Sequence, residues 1–199
     1  MNDLTVPEKL AKLRELMTNQ SIDALVVMSA DPHMSEYLPD YWKARQWLSG
    51  FSGSVGTLVV TQNFAGLWAD GRYWVQAEQQ LAGTGFQLQK LTSDESSTHL
   101  AWIEKNLPAG SVISVNGQTL SIQQFKALEN TAKQCGFKLE TRQDLIGSIW
   151  SNRPELPLEQ IHLMPEGLNA LSRKEKIQAI RETLKTKAIR SEEHTSELQ

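Results

Sequence analysis

Residues 47–77, WLSGFSGSVGTLVVTQNFAGLWADGRYWVQA, constrain the fold more than any other stretch of the chain. Gly50, Gly53 and Gly56 recur at every third position, a spacing that asks for a tight turn with close backbone approach. Two short apolar runs follow, 57–61 and 65–69, separated only by Gln62-Asn63-Phe64. Runs of that length with that break predict neighbouring antiparallel strands of a hairpin. Directly behind the second run comes Asp70-Gly71-Arg72-Tyr73-Trp74. Asp70 is suited to hydrogen-bond its own turn. Arg72, near a strand end, can reach outward with a guanidinium that suits a carboxylate or a peptide carbonyl. A surface salt bridge is the other role these residues leave open for it.

The rest of the chain alternates helix and strand signals. Pro7 fits the first turn of a helix, and Leu10, Leu13 and Met17 follow as one apolar stripe. Residues 24–28 read as a buried strand, 31–41 as a polar loop, 73–82 as a helix ended by Gly83, and 86–91 as a half-buried strand. Ser96 or Ser97 is expected to cap a helix through Leu107, which Pro108-Ala109-Gly110 stops. Residues 111–115 read as a strand, 121–135 as a helix with Gly136 in the C-cap position, 137–141 as a strand, and 144–150 as a short helix. This alternation, with at least one hairpin, predicts an α/β fold: a mixed β-sheet flanked by helices over residues 1–150.

Pro154 and Pro157 mark residues 151–160 as a linker. Residues 161–189 read as the unfinished start of a second, similar domain. They hold a short strand at 161–164, then a helix opened by the capping box Ser172-Arg173-Lys174-Glu175. Ile177, Ile180 and Leu184 are its expected core-facing stripe. Residues 190–199, RSEEHTSELQ, break that apolar period. They match, residue for residue, the translation of a common short-read sequencing adapter, AGATCGGAAGAGCACACGTCTGAACTCCAG, and are read as an artefact of it.

Composition excludes several function classes. A net charge of −3 gives no basic stripe for nucleic acid. No run approaches the roughly 18 apolar residues of a membrane span, and the first residues lack the apolar core of a signal peptide. Cys135 is the single cysteine, which fits a reducing compartment. The expectation is a cytoplasmic chain with no membrane and no nucleic-acid partner. His33, His99 and His162 are far apart in sequence and form no metal-ligand pattern, so neither a metal site nor a catalytic site is expected within this chain. The glycines read GxxGxxG, which is not a dinucleotide fingerprint. Ser52 and Ser54 do not make a nucleophile elbow. Most of the Trp residues are expected in the core, with some at an interface.

Four ordered motifs carry a resemblance. The first is Asp31, His33, Ser35, Glu36 and Tyr37. The second is Gly50, Phe51, Gly53, Ser54, Gly56 and Thr57. The third is Trp68, Asp70, Gly71, Arg72, Tyr73, Trp74, Gln76 and Ala77. The fourth is Ile149, Trp150, Arg153, Pro154 and Pro157. Together, over about residues 4–188, they resemble the N-terminal domain of the creatinase, prolidase and Xaa-Pro aminopeptidase group, above all its cytosolic three-domain aminopeptidases. The resemblance implies a protein that removes the N-terminal residue from peptides with proline second, using two divalent metal ions, usually manganese. It places their ligands in a C-terminal domain that this sequence does not contain. It also implies that the N-terminal domain packs over the catalytic cleft, that the full-length protein is a homodimer, and that Arg72 contacts substrate, with Trp68, Asp70, Tyr73 and Trp74 as neighbours. The unfinished second domain favours a non-catalytic piece of such an enzyme over a stand-alone module that binds peptides or partners. The third and fourth motifs together favour an aminopeptidase over a creatinase-like amidinohydrolase.

Overall fold

The computed structural model describes residues 4–165, 167–168 and 170–187, so the adapter-like stretch 190–199 lies outside the described residues. The chain divides into two compact units, Met1–Pro157 and Leu158–Gln199.

The first unit is built on six strands: β1 Ala24–Val27, β2 Thr57–Thr61, β3 Ala65–Ala69, β4 Gln87–Lys90, β5 Val112–Val115 and β6 Lys138–Glu140, ordered β4-β3-β2-β1-β5-β6. β2 pairs antiparallel with β1 and β3, whereas β3–β4, β1–β5 and β5–β6 are parallel. Five strands therefore point the same way and β2 alone is reversed. The helices are α1 Val6–Asn19, α2 Ala44–Ser49, α3 Trp74–Gln80, α4 His99–Asn106, α5 Ile122–Cys135 and α6 Leu145–Ile149. The mixed sheet flanked by helices is the architecture expected from the sequence.

Alternation along the strands creates two cores. Leu25, Val27, Leu58, Val60 and Leu67 pack with Leu10, Leu13 and Met17 of α1, Ala77 of α3 and Leu145 of α6. Val26, Val59, Trp68, Ile113 and Val115 pack on the other face with Ile103 of α4 and Leu128 of α5. Strands covered on both faces need apolar residues at successive positions, which is why β1 reads as a continuous apolar run.

The helix-to-strand connections are short. Left-handed residues close them: Ser21, Gly83, Gly85, Gly110 and Gly136. Gly136 at φ 72° caps α5, where a side chain would be strained. All these turns lie at the amino edge of the parallel strands.

Some expectations are corrected. α2 was not foreseen: it has no side-chain cap and is held by burial of Arg45, Leu48 and Ser49. Thr98, rather than Ser96 or Ser97, caps α4, since Glu95–Ser97 form a 3₁₀ turn and the Thr98 hydroxyl accepts from Ala101 N. In the second unit, residues 161–164 form no strand, and Ile161, Leu163 and Met164 are exposed. The capping box of Ser172 and Glu175 does open α7, Arg173–Thr186. Its stripe is not core-facing, however: Ile177 and Ile180 are exposed. An apolar stripe is buried only where a second layer meets it, and the described residues of the second unit supply none.

Two residues of the second core and its sheet give testable outcomes. Ser114 in β5 is fully buried, and its hydroxyl has no hydrogen-bond partner among the described residues. Ser114→Ala should therefore leave stability unchanged or raise it by about 1 kcal/mol. A lower urea midpoint would reveal a partner for that hydroxyl.

His99 sits edge-on to Trp68 at 6.4 Å, and burial lowers its pKa to about 4. Between that value and the unfolded value near 6.5 the unfolded chain binds more protons, so stability is full above pH 6.5 and falls as pH drops toward 4. The ceiling on this loss is about 3 kcal/mol. Urea unfolding at pH 7 and pH 4.5 should show a smaller drop in His99→Gln than in the parent chain. Equal drops would assign the acid sensitivity to other groups.

Candidate functional site

Because β2 alone is reversed, the loop leaving β1, the loop entering β2 and the turn leaving β3 meet at the carboxyl edge of the sheet. They carry the first three motifs.

In the loop after β1, Asp31 is buried, and its Oδ1 accepts from His33 N at 3.0 Å and Ser35 N at 2.9 Å. Burial alone would raise the pKa of Asp31, but the hydrogen bonds from Ser35 and His33 outweigh it and hold the group below its usual value. The carboxylate thus folds the loop back on itself, with Met34 left-handed at φ 54°.

Arg45 of α2 holds the loop entering β2. It is only 5% exposed. Its Nε donates to Ser29 Oγ at 2.5 Å, its Nη1 to Phe51 O at 2.9 Å, and its Nη2 to Gly53 O. The guanidinium also lies over the Phe51 ring, 4.9 Å from its centroid. Burial draws its pKa down to about 10 against the upward pull of Tyr73, and no carboxylate pairs with it among the described residues. Ser29 Oγ donates in turn to Gly56 O at 2.6 Å, tying the far end of the loop. Gly53 must be glycine: a Cβ there would collide with the Phe51 ring and lie 2.9 Å from Tyr73 Cδ1. A groove of about 230 Å³ separates this loop from the first, with Glu36, Tyr37, Lys43 and Arg45 among its lining.

The turn after β3 is organised by Asp70. Its Oδ1 accepts from Arg72 N at 3.1 Å and Nε at 2.9 Å, and its Oδ2 from Nη2 at 2.9 Å. This pairing holds Asp70 below and Arg72 above their usual pKa values. The Arg72 side chain remains 69% exposed. Its guanidinium lies 5.3 Å from the centroid of the Tyr73 ring, and Tyr73 OH is 2.6 Å from Ser54 Oγ. The second and third motifs are thereby joined. Trp74 Nε1 donates to Ala69 O at 2.8 Å, behind the turn. Trp68 lies elsewhere: its ring is buried in the second core against Phe64 and Trp102. The structure thus brings Asp70 and Tyr73 to Arg72, keeps Trp74 at the back of the turn, and separates Trp68 from it.

The fourth motif ends in a clamp. Arg153 donates from Nε to Tyr41 O at 2.8 Å and from Nη1 to Asp144 Oδ2 at 2.5 Å, and it stacks 3.7 Å from the Tyr41 ring centroid. Trp150 stacks on Trp47 at 5.0 Å.

Sequence reasoning missed Arg45. The available signal was its placement at i, i+3 and i+4 with Leu48 and Ser49, which puts a charged residue on a buried face.

No group of three His, Cys, Asp or Glu side chains that could hold a metal ion occurs among the described residues. No helix among them is long and apolar enough to cross a membrane.

A helix-flanked mixed sheet with its motif-bearing loops gathered on one edge matches a known class. The sequence profile of the Creatinase/Prolidase N-terminal domain fits residues 9–145, and the chain belongs to that family. Its relatives narrow the likeness to one kind of enzyme. The chain is 34% identical over 189 residues to a probable Xaa-Pro aminopeptidase P of Aspergillus flavus, covering 94% of this chain and 29% of that protein. It is 34% identical over 175 residues to Xaa-Pro aminopeptidase 2 of Mus musculus, covering 87% and 26%. The X-prolyl aminopeptidase from Caenorhabditis elegans, a cytosolic enzyme with a di-nuclear active site, superimposes with a TM-score of 0.78 at 34% identity, over 93% of this chain and 32% of that one. The aminopeptidase P from Streptococcus thermophilus shares the fold, with a TM-score of 0.55 at 19% identity over 72% of this chain and 97% of that one. The chain thus spans less than a third of the length of the curated relatives named here.

Proposed function

We propose that this chain serves as the non-catalytic N-terminal region of a cytoplasmic, di-metal Xaa-Pro aminopeptidase, homodimeric at full length. Its carboxyl edge faces the catalytic cleft and receives peptides with proline second. The two metal ions, manganese in this reading, are held by a catalytic domain outside this sequence and supply the activated water. This chain contributes binding and orientation.

The observation that supports the reading is the state of Arg72. Asp70 holds the guanidinium in one orientation by two parallel hydrogen bonds, yet most of the side chain stays in solvent. The remaining N–H groups are free to meet a peptide carbonyl or carboxylate, and a guanidinium fixed in advance loses less entropy on binding.

In the full-length protein, Arg72→Ala should lower kcat/KM on an Xaa-Pro peptide about tenfold, which corresponds to about 1.4 kcal/mol. Most of the change should appear in KM, because the residue binds without touching the reacting atoms. Unchanged kinetics would remove Arg72 from substrate binding.

A further inference from the structure

A second concavity, of about 370 Å³, opens at the carboxyl edge on the face covered by α4 and α5. It lies over Val26 and Met28 at the end of β1, Thr57 at the start of β2, Leu91 beyond β4 and Leu120 in the connection from β5 to α5, beside the first turns of both helices. It borders β1, at which the strand order reverses. From β1 the sheet grows outward through β2, β3 and β4, and the chain then returns to lay β5 on the other side of β1. In open α/β sheets ligands collect at such a point, because neighbouring connections leave in opposite directions and open a crevice between them.

The lining sets the chemistry. Met28, Leu91, Leu100 and Leu120 supply apolar walls, and Thr57, Thr98, His99 and Gln124 supply polar groups. Among the described residues no Asp, Glu, Lys or Arg lines the space. His99 stays neutral at neutral pH because burial disfavours its charged form, so it offers one donor and one acceptor. Gln124 Oε1 is already used, accepting from Ser121 N at 2.9 Å, which leaves its amide N–H groups for a guest. An ammonium entering here would lose hydration, meet no carboxylate and face the amino ends of α4 and α5. An apolar molecule with one neutral hydrogen-bonding group would lose nothing comparable. Volume, apolar walls and a few convergent polar groups together describe a small-molecule site.

We propose that this crevice binds a small, mainly apolar, non-cationic molecule carrying a single hydrogen-bonding group. The site is distinct from the Arg72 turn, and the inference stands or falls separately from the peptidase reading.

The test is a titration of the ¹⁵N-labelled 199-residue chain with indole at pH 7, followed by amide chemical shifts. Saturable shifts at Met28, Leu91, Leu100 and Leu120 are expected, with a Kd of about 1 mM or tighter for a probe of this size. Tryptamine, which adds an ammonium to the same ring system, should bind at least about tenfold more weakly. Ala127 lines the crevice from an exposed position on α5, so Ala127→Trp should fill the space without disturbing the core and abolish the shifts. Absence of saturation, equal binding of the charged analogue, or unchanged binding by a folded Ala127→Trp chain would each overturn the proposal.

Discussion

Arg45→Met should destabilise the chain by about 3 kcal/mol, read as a lower urea midpoint with an unchanged slope. The methionine fills much of the space of the arginine stem, so the loss isolates the guanidinium. That group serves three acceptors, Ser29 Oγ, Phe51 O and Gly53 O. Removing the donor leaves these partly buried acceptors unpaired, at about 1–3 kcal/mol each before relaxation. Relief from burying an unpaired cation offsets part of this. Arg45→Lys should recover little, because one ammonium cannot reach three acceptors placed for a planar fork. Such a chain should also loosen the contact between Ser54 and Tyr73, since the loop that carries Ser54 would no longer be held. A loss under about 1 kcal/mol would mean that Gly56 and the Phe51 ring hold the loop without Arg45.

Arg153→Leu should cost about 2–3 kcal/mol and should expose the chain near residues 151–157 to protease. The Arg153 side chain is 10% exposed and its partner Asp144 is 30% exposed, so solvent screening reduces the figure below that of a fully buried pair. The charge change acts twice. Asp144 loses its cation but still accepts from Gly147 N at 2.9 Å, so α6 keeps its cap. The Tyr41 carbonyl loses its donor, and three aromatic rings lose the cation lying on or beside them. Limited proteolysis and urea unfolding should move together. A stability loss without new cleavage near residues 151–157 would mean that this segment is held by other contacts.

These residues show where local sequence carries structural information and where it does not. The hairpin at 57–69 was legible because two apolar runs and a three-residue break leave one local solution. α5 was legible because Ser121 and Gly136 mark its two ends, each through a bond to a residue only three or four positions away. The Arg72 turn was legible for the same reason, as Asp70 needs only its own neighbours to close it. α2 was hidden, since it begins without a capping side chain and exists because Leu48 finds a core made by distant segments. The cap of α4 was misplaced because Ser96, Ser97 and Thr98 are locally equivalent, and Asp94 takes the Ser96 N–H into a 3₁₀ turn. Arg45 was hidden because its acceptors come from two other loops. Trp68 was grouped with Arg72 by nearness in sequence, but strand alternation sends its ring through to the opposite face.

The left-handed turns of the amino edge bear on how such a chain can vary in length. Ser21, Gly110 and Gly136 each help a helix feed a strand through a connection of two to five residues. One residue inserted there would slide β1, β5 or β6 by one position and turn its apolar side chains to the wrong face. The carboxyl edge includes a longer connection, residues 28–43 between β1 and α2, whose fixed points are Asp31 and the Tyr41 carbonyl rather than a strand register. Changes in the length of that connection are therefore expected to disturb strand register less, and it belongs to the carboxyl edge. It is the edge that carries the Arg72 turn and the apolar crevice, so new specificity can be tried there while the sheet register stays fixed.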